Sequence, residues 1–213
     1  MERRIRTYST DEGLVKSRRV QLALYAAEMF ADKGYHNTTV QEIGDACGMG
    51  KGTIYHYIGT KEDILRLIES KATVLWEGFF EEGLANFDKM SATETLRHCV
   101  EDFCRRVDKY PSFTRFWYQE IRYAPPEVQR AIREWDTRAV ALFEKILAKG
   151  CMSGEFKVDD ITMVAHIIVS GGEMWAVKRW FLRKHFTLKE YISAQVKMTL
   201  RLVCANECIV KAG

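Results

Sequence analysis

Proline stands at only three of 213 positions, Pro111, Pro125 and Pro126. Proline lacks an N–H and clashes with the preceding turn of a helix, so its scarcity leaves long stretches free to be helical. The apolar residues take up that freedom. Val20, Ala23, Leu24, Ala27 and Phe30 recur at the spacing of one helix face, and Gly34 stops that helix as a C′ glycine does. Thr39 with Glu42 three residues on is a capping-box spacing; it opens a short helix over about 39–47, which Gly48 ends. A second short helix is expected from Gly50 to Ile58. Thr60 with Asp63 repeats the capping-box spacing and opens a long helix through Ile64, Leu65 and Ile68 toward Phe87.

Residues 39–58 therefore read as helix, tight glycine turn, helix, a unit whose second helix is free to enter a nucleic-acid groove. The chemistry of MGKGTIYHYIGTKED (49–63) agrees. Its glycines allow close backbone approach. Thr53, Tyr55, His56 and Tyr57 offer hydroxyls, a ring N–H and flat faces, and Lys51 and Lys61 offer positive charge. Phosphate oxygens and base edges call for those donors. Total charge decides nothing: the chain is +3, and residues 1–70 hold ten Lys/Arg against ten Asp/Glu. Any basic face must be local.

The segment TTVQEIGDACGMGKGTIYHYIGTKEDIL resembles the DNA-binding signature of TetR-type transcriptional regulators, over about residues 14–68. The resemblance implies an all-α homodimer. A flexible basic arm (1–13) would precede an N-terminal three-helix helix-turn-helix domain (14–68) and a larger C-terminal helical domain for effector binding and dimerisation (69–213). It implies phosphate contacts from Thr39, Thr53, Tyr55, Tyr57 and Lys61, with a further one from Arg18, and base-edge or nearby contacts from Lys51, Gly52 and His56. Ile43, Ala46, Ile54 and Ile64 take the packing positions. Gly50 stands where the family commonly has serine, which removes a capping hydroxyl, and Ile58 replaces a frequent phenylalanine.

In the second half, Leu96, Cys99, Val100, Phe103 and Val107 form one stripe over Ser91–Lys109. PSFTRFWYQEIRYAPP follows. A long helix is expected over 127–149, stopped by Gly150 and Gly154, another over 159–183, and a last one after Thr187 with Ile192, Val196, Thr199, Leu200 and Val203 on one stripe. The two C-terminal helices are the expected dimer interface. Gly171-Gly172 in mid-helix costs about 1 kcal/mol per glycine relative to alanine, so either a backbone passes close by or the helix bends. Aromatic side chains in this half, with few polar anchors, suit a mostly apolar effector pocket, expected from Phe116, Trp117, Glu120, Tyr123, Trp135, Met174 and Trp175. FTRFWYQEIRYAPPEV and GGEMWAVKRWFL are similar to regulators of fatty-acid and acyl-CoA catabolism. That implies an acyl-CoA effector, with its phosphates near Arg115, Arg122, Lys178 or Arg179. The alternative is a cationic aromatic compound balanced by Glu120 or Glu173, in a multidrug-sensing repressor of an efflux system.

No metal-ligand cluster, Walker loop or catalytic triad can be placed, so the reading is not an enzyme and calls for no cofactor. The rival to a DNA-binding regulator is a helical ligand-binding module that no longer binds DNA. Six cysteines show no CxxC pattern and read as free thiols in a reducing compartment. The polar, basic N-terminus and the absence of a long apolar run point to a cytoplasmic protein with no membrane partner. The expected partners are double-stranded operator DNA, a second copy of the chain and a small-molecule effector.

Overall fold

The computed structural model describes residues 12–204 apart from 86 and 88. The expected basic arm falls almost wholly outside the described residues, as does Cys208. Among the described residues there are ten α-helices: α1 Glu12–Lys33, α2 Val40–Ala46, α3 Lys51–Tyr57, α4 Lys61–Ala85, α5 Ala92–Lys109, α6 Pro111–Glu120, α7 Pro126–Ser153, α8 Ile161–Val177, α9 Arg179–Leu182 and α10 Leu188–Val203. The all-α expectation holds. No described helix is long and apolar enough to cross a membrane.

The chain forms two compact units. The first holds the described residues up to Leu75 together with Ser112–Arg133; the second holds Trp76–Pro111 and the described residues from Glu134 onward. The units do not coincide with a single cut near residue 69, because α6 and the start of α7 pack with the first. Phe116 of α6 is fully buried there, with its ring 5.9 Å from that of Phe30 in α1.

Capping side chains start the helices where their spacing places them. Thr39 caps α2, Ser91 caps α5 and Thr187 caps α10, each in a reciprocal box with a glutamate three residues on. At α4, the Thr60 N–H donates to Asp63 Oδ2 (2.8 Å) and the Asp63 N–H to Thr60 Oγ1 (3.2 Å). Substituting such a cap typically costs about 1 kcal/mol.

In the second unit, α5, α8 and α10 pack on one another, and Phe79, Phe103, Phe143, Ile146 and Trp175 fill the core. Each buried side chain of this size stabilises the fold by about 1.5–3 kcal/mol. The stripe Ile192, Val196, Thr199 and Val203 on α10 is buried in this core. It is thus satisfied within the chain, while Leu200, the remaining member of the expected stripe, is half-buried.

Two helix ends differ from expectation. α7 runs through Gly150 and stops at Gly154, where φ is +78°. Gly150 is a packing glycine, since a Cβ there would lie 1.9 Å from the Phe156 ring. The helix expected over 159–183 is two helices separated at Lys178 (φ −103°, ψ 24°). No residue from Val177 to Glu190 is buried, so the packing that sustains most protein helices is missing there. At Gly171 and Gly172 the close neighbours are side chains, not a backbone: Gln195 and Phe103, respectively.

Candidate nucleic-acid interface and effector site

α2 and α3 are held at their turn by backbone bonds. The Met49 N–H donates to the Gly44 carbonyl (2.7 Å), and Gly48 adopts φ +67°, which favours glycine. Gln21 of α1 reaches across to the Cys47 carbonyl (3.5 Å) and accepts from the Arg18 guanidinium (3.0 Å). Ile43 and Ile54 are fully buried and Ile58 nearly so, which seats α3 on the unit by one face. Its other face carries Gly52, Thr53, Tyr55 and His56, all exposed, with Tyr57 half-buried. No acidic side chain lies in α3. The Lys51 backbone opens the helix; its side chain lies outside the described residues.

Two of the expected phosphate-contacting residues have internal partners. The Thr39 hydroxyl donates its single proton to Glu42 Oε2 (2.9 Å) while accepting from the Glu42 N–H (3.1 Å). The Thr39 N–H, then Lys33 and the Thr39 hydroxyl, bring the Glu42 carboxyl down to about 2. The Lys61 ammonium donates to the Tyr35 carbonyl and sits 4.3 Å from the centre of the Tyr35 ring. Burial lowers its pKa, against the pull of Glu42. Both residues therefore hold the α1–α2 turn in place, whatever further contacts they make.

The seven expected effector residues divide between the units. Phe116, Trp117, Glu120 and Tyr123 belong to the first, where they bind the end of α1. The Tyr35 N–H donates to the Glu120 carboxylate at 2.8 Å, and Tyr123 lies 4.3 Å from the His36 ring and stacks on Tyr35 at 6.1 Å. Arg115 extends the same contact, donating to the Ala31 carbonyl (3.1 Å) and pairing with Asp32 (2.5 Å). Phe116 is core; Glu120, besides accepting from the Tyr35 N–H, lines a cavity of about 670 Å³ with Arg122, Tyr123, Tyr35 and His36 at the end of α1.

Trp135, Met174 and Trp175 belong to the second unit. Trp175 is buried, its indole N–H donates to Asp108 (2.8 Å) and its ring packs 4.8 Å from that of Tyr191. The same Asp108 oxygen accepts from Arg179 (2.9 Å), so that guanidinium is already paired. Met174 is half-buried. Trp135 is half-buried in an aromatic cluster with Trp76 (5.7 Å) and Phe80 (5.1 Å), continued by Phe79, Phe103 and Phe143. Arg138 lies over Phe80 at 4.3 Å and pairs with Glu77 at 2.7 Å. Sequence reasoning missed Trp76, Phe79 and Phe80. Their i, i+3, i+4 spacing on α4 was the available signal. Among the described residues no group of His, Cys, Asp or Glu could hold a metal ion.

The residues that build this helix-turn-helix and its exposed α3 match a known family. Residues 25–68 match the family described as bacterial regulatory proteins, tetR family, and residues 89–203 match the tetracyclin repressor-like C-terminal domain. The chain belongs to the TetR family. TetR proteins are transcriptional regulators and not enzymes. Among relatives, the HTH-type transcriptional regulator HbdR of Aromatoleum sp. (strain CIB) is 29% identical over 192 residues, covering 88% of this chain and 81% of that one. The fatty acid metabolism regulator protein of Bacillus subtilis (strain 168) is 26% identical over 163 residues, covering 76% and 83%. Among solved structures, AibR in complex with isovaleryl coenzyme A and operator DNA superposes with a TM-score of 0.70 at 25% identity, covering 85% of this chain and 97% of that one.

Proposed function

We propose that this TetR-family regulator is a cytoplasmic repressor that binds a palindromic operator as a homodimer and is released by an acyl-CoA or a related acyl thioester. The observation that carries the DNA-binding half is the solvent-exposed face of α3. Gly52, Thr53, Tyr55 and His56 point outward from a helix anchored by Ile54 and Ile58, the arrangement a recognition helix needs in a major groove. Lys51, Tyr57 and Arg18 complete the proposed contacts, with Thr39 and Lys61 acting at the edge.

For the dimer, α8 and α10 keep exposed apolar side chains beside their buried stripes: Met163 (58% exposed), Ile167 (50%), Met198 (54%) and Leu202 (48%). A twofold axis through these faces would set two recognition helices about one DNA turn apart, roughly 34–36 Å.

The effector class rests on the relatives, one named for fatty-acid metabolism and one solved with isovaleryl coenzyme A. Within the second unit, the half-buried Trp76–Trp135 pair suits an acyl chain, and Met174 is a further candidate. The competing reading, a cationic aromatic effector, would use Glu120 beside Tyr35 and Tyr123 in the cavity at the end of α1.

The test uses operator DNA selected from a random library and full-length protein. Binding should fall steeply with salt, as phosphate contacts release counterions. Tyr55→Phe and Lys51→Ala should each weaken it, and stearoyl-CoA or isovaleryl-CoA should release the DNA. An effector shifts this equilibrium only by its differential affinity for the two states. An acyl-CoA that binds tightly and leaves operator affinity unchanged would overturn the repressor mechanism.

A further inference from the structure

A groove of about 860 Å³ runs between α5 and α10 in the second unit. Leu188 and Leu200, both half-buried, and the outer edges of Ile192 and Val196, whose side chains otherwise belong to the core, line it at intervals of four residues along α10. From Leu188 to Leu200 this apolar strip is about 18 Å long at 1.5 Å per residue. Both walls are basic. Arg97 and Arg105 stand on α5 eight residues apart, and Lys189 and Lys197 on α10 at the same separation.

The acids in the groove are already engaged. Glu101 pairs with Arg105 at 2.9 Å. Glu155 accepts from the N–H groups of Ala92 (3.0 Å) and Thr93 (2.9 Å) at the start of α5. Arg97, Lys189 and Lys197 face the groove without an ion-pair partner among the described residues, and its lining holds four cations against two carboxylates, Glu101 and Glu155.

We infer that this groove docks an acidic amphipathic helix of a partner protein, about three turns long. An apolar strip at helical spacing between two charged rims is the form that a helix-in-groove contact takes. Charge distribution argues against a small amphiphile: a single anionic head needs cations at one end, and here they repeat on both walls. The aliphatic floor offers no rings on which bases could stack. Helix geometry also keeps the groove separate from the proposed dimer face. At 100° per residue, Lys189, Ser193 and Lys197 lie on one flank of α10, and Met198 and Leu202 on the opposite flank. The inference stands independently of the effector.

The experiment is fluorescence anisotropy with full-length protein. The probe is a labelled helical peptide of about fourteen residues, with leucines at i, i+3, i+4 and i+7 spacing and glutamates flanking them; the control is a scrambled peptide of identical composition. The ordered peptide should bind saturably, and more weakly as salt rises. K189E/K197E and R97E, all at exposed positions, should weaken it about tenfold, the size of one or two lost charge pairs plus new repulsion, while helix content and operator affinity stay unchanged. Equal binding of the scrambled peptide, no saturation, or indifference to both variants would overturn the inference. Displacement by a free long-chain fatty acid, with no preference for the ordered peptide, would also overturn it in favour of a small amphiphile.

Discussion

Glycines that look alike in the sequence take opposite roles at single positions. Gly172 is a packing residue. A Cβ there would lie 2.4 Å from the buried Phe103 ring, which is hemmed in by Trp76, Phe79 and Phe143 and has nowhere to retreat. Gly172→Ala should destabilise the protein by about 1–3 kcal/mol through overpacking, read as a lowered urea midpoint with an unchanged slope. Gly52 is the reverse case. A Cβ there meets nothing within 4 Å, and alanine is the better helix former by about 0.8–1 kcal/mol. Gly52→Ala should leave thermal stability level or slightly raised while operator affinity falls, because the methyl group intrudes only where DNA is proposed to approach. A loss of both would mean that Gly52 matters to the fold and not to the contact. The sequence marked Gly52 as a place of close approach and left Gly172 between a close backbone and a bend; that a side chain, Phe103, fills the space depends on residues distant in the chain.

Elements whose boundaries come from local chemistry were legible; those set by tertiary contacts were not. The boxes at Thr39–Glu42 and Thr60–Asp63, and the turn at Gly48, are hydrogen bonds between near neighbours and could be read from spacing. The passage of α7 through Gly150 depends on Phe156, and the interruption at Lys178 on the exposure of residues 177–190. α6 shows the same limit. Its residues suggested a pocket as a set, yet Phe116 packs in the core against Phe30, while Glu120 accepts from the Tyr35 N–H at the edge of a cavity it shares with Tyr123. Glu155 makes such a long-range contact testable through pH. Burial raises its pKa, but the Thr93 and Ala92 N–H groups and the Thr93 and Ser153 hydroxyls outweigh that, leaving it at about 2 against an ordinary 4.5. A depressed carboxyl pKa contributes stability that is fully present above the unfolded value and is lost as pH falls through the folded one. Glu155 should thus contribute to acid destabilisation between about pH 4.5 and 2. Glu155→Gln should flatten that part of the stability-versus-pH curve, measured by urea unfolding at each pH, and lower stability at neutral pH. An unchanged acid limb would mean that the carboxylate gains nothing from capping α5.

For the whole molecule, the regulator's class was legible because a helix-turn-helix concentrates its chemistry in one short segment. The aromatic cluster of the second unit was not, because the residues that stand together there come from α4, α5 and α7. Dimerisation is a proposal of another kind: the stripe on α10 that suggested it is largely buried within the chain, so the proposed contact falls on other faces of the same helices. The proposed interface is the flank carrying Met163 and Ile167 on α8 and Met198 and Leu202 on α10. Met163→Glu with Met198→Glu should separate the subunits. Both side chains are more than half exposed, so within one chain the change should cost less than about 0.5 kcal/mol, and circular dichroism should be unaltered. Across a twofold axis it sets carboxylates against an apolar surface that cannot hydrogen-bond them. The mass by light scattering should halve at micromolar concentration. Operator affinity should drop by about 10²–10⁴, since the second half-site contact then loses the effective concentration that the dimer provides. A variant that stays dimeric would place the interface elsewhere. A variant that becomes monomeric and binds the selected operator as tightly as before would show that each half-site is read alone, and the twofold account of recognition would fail with it.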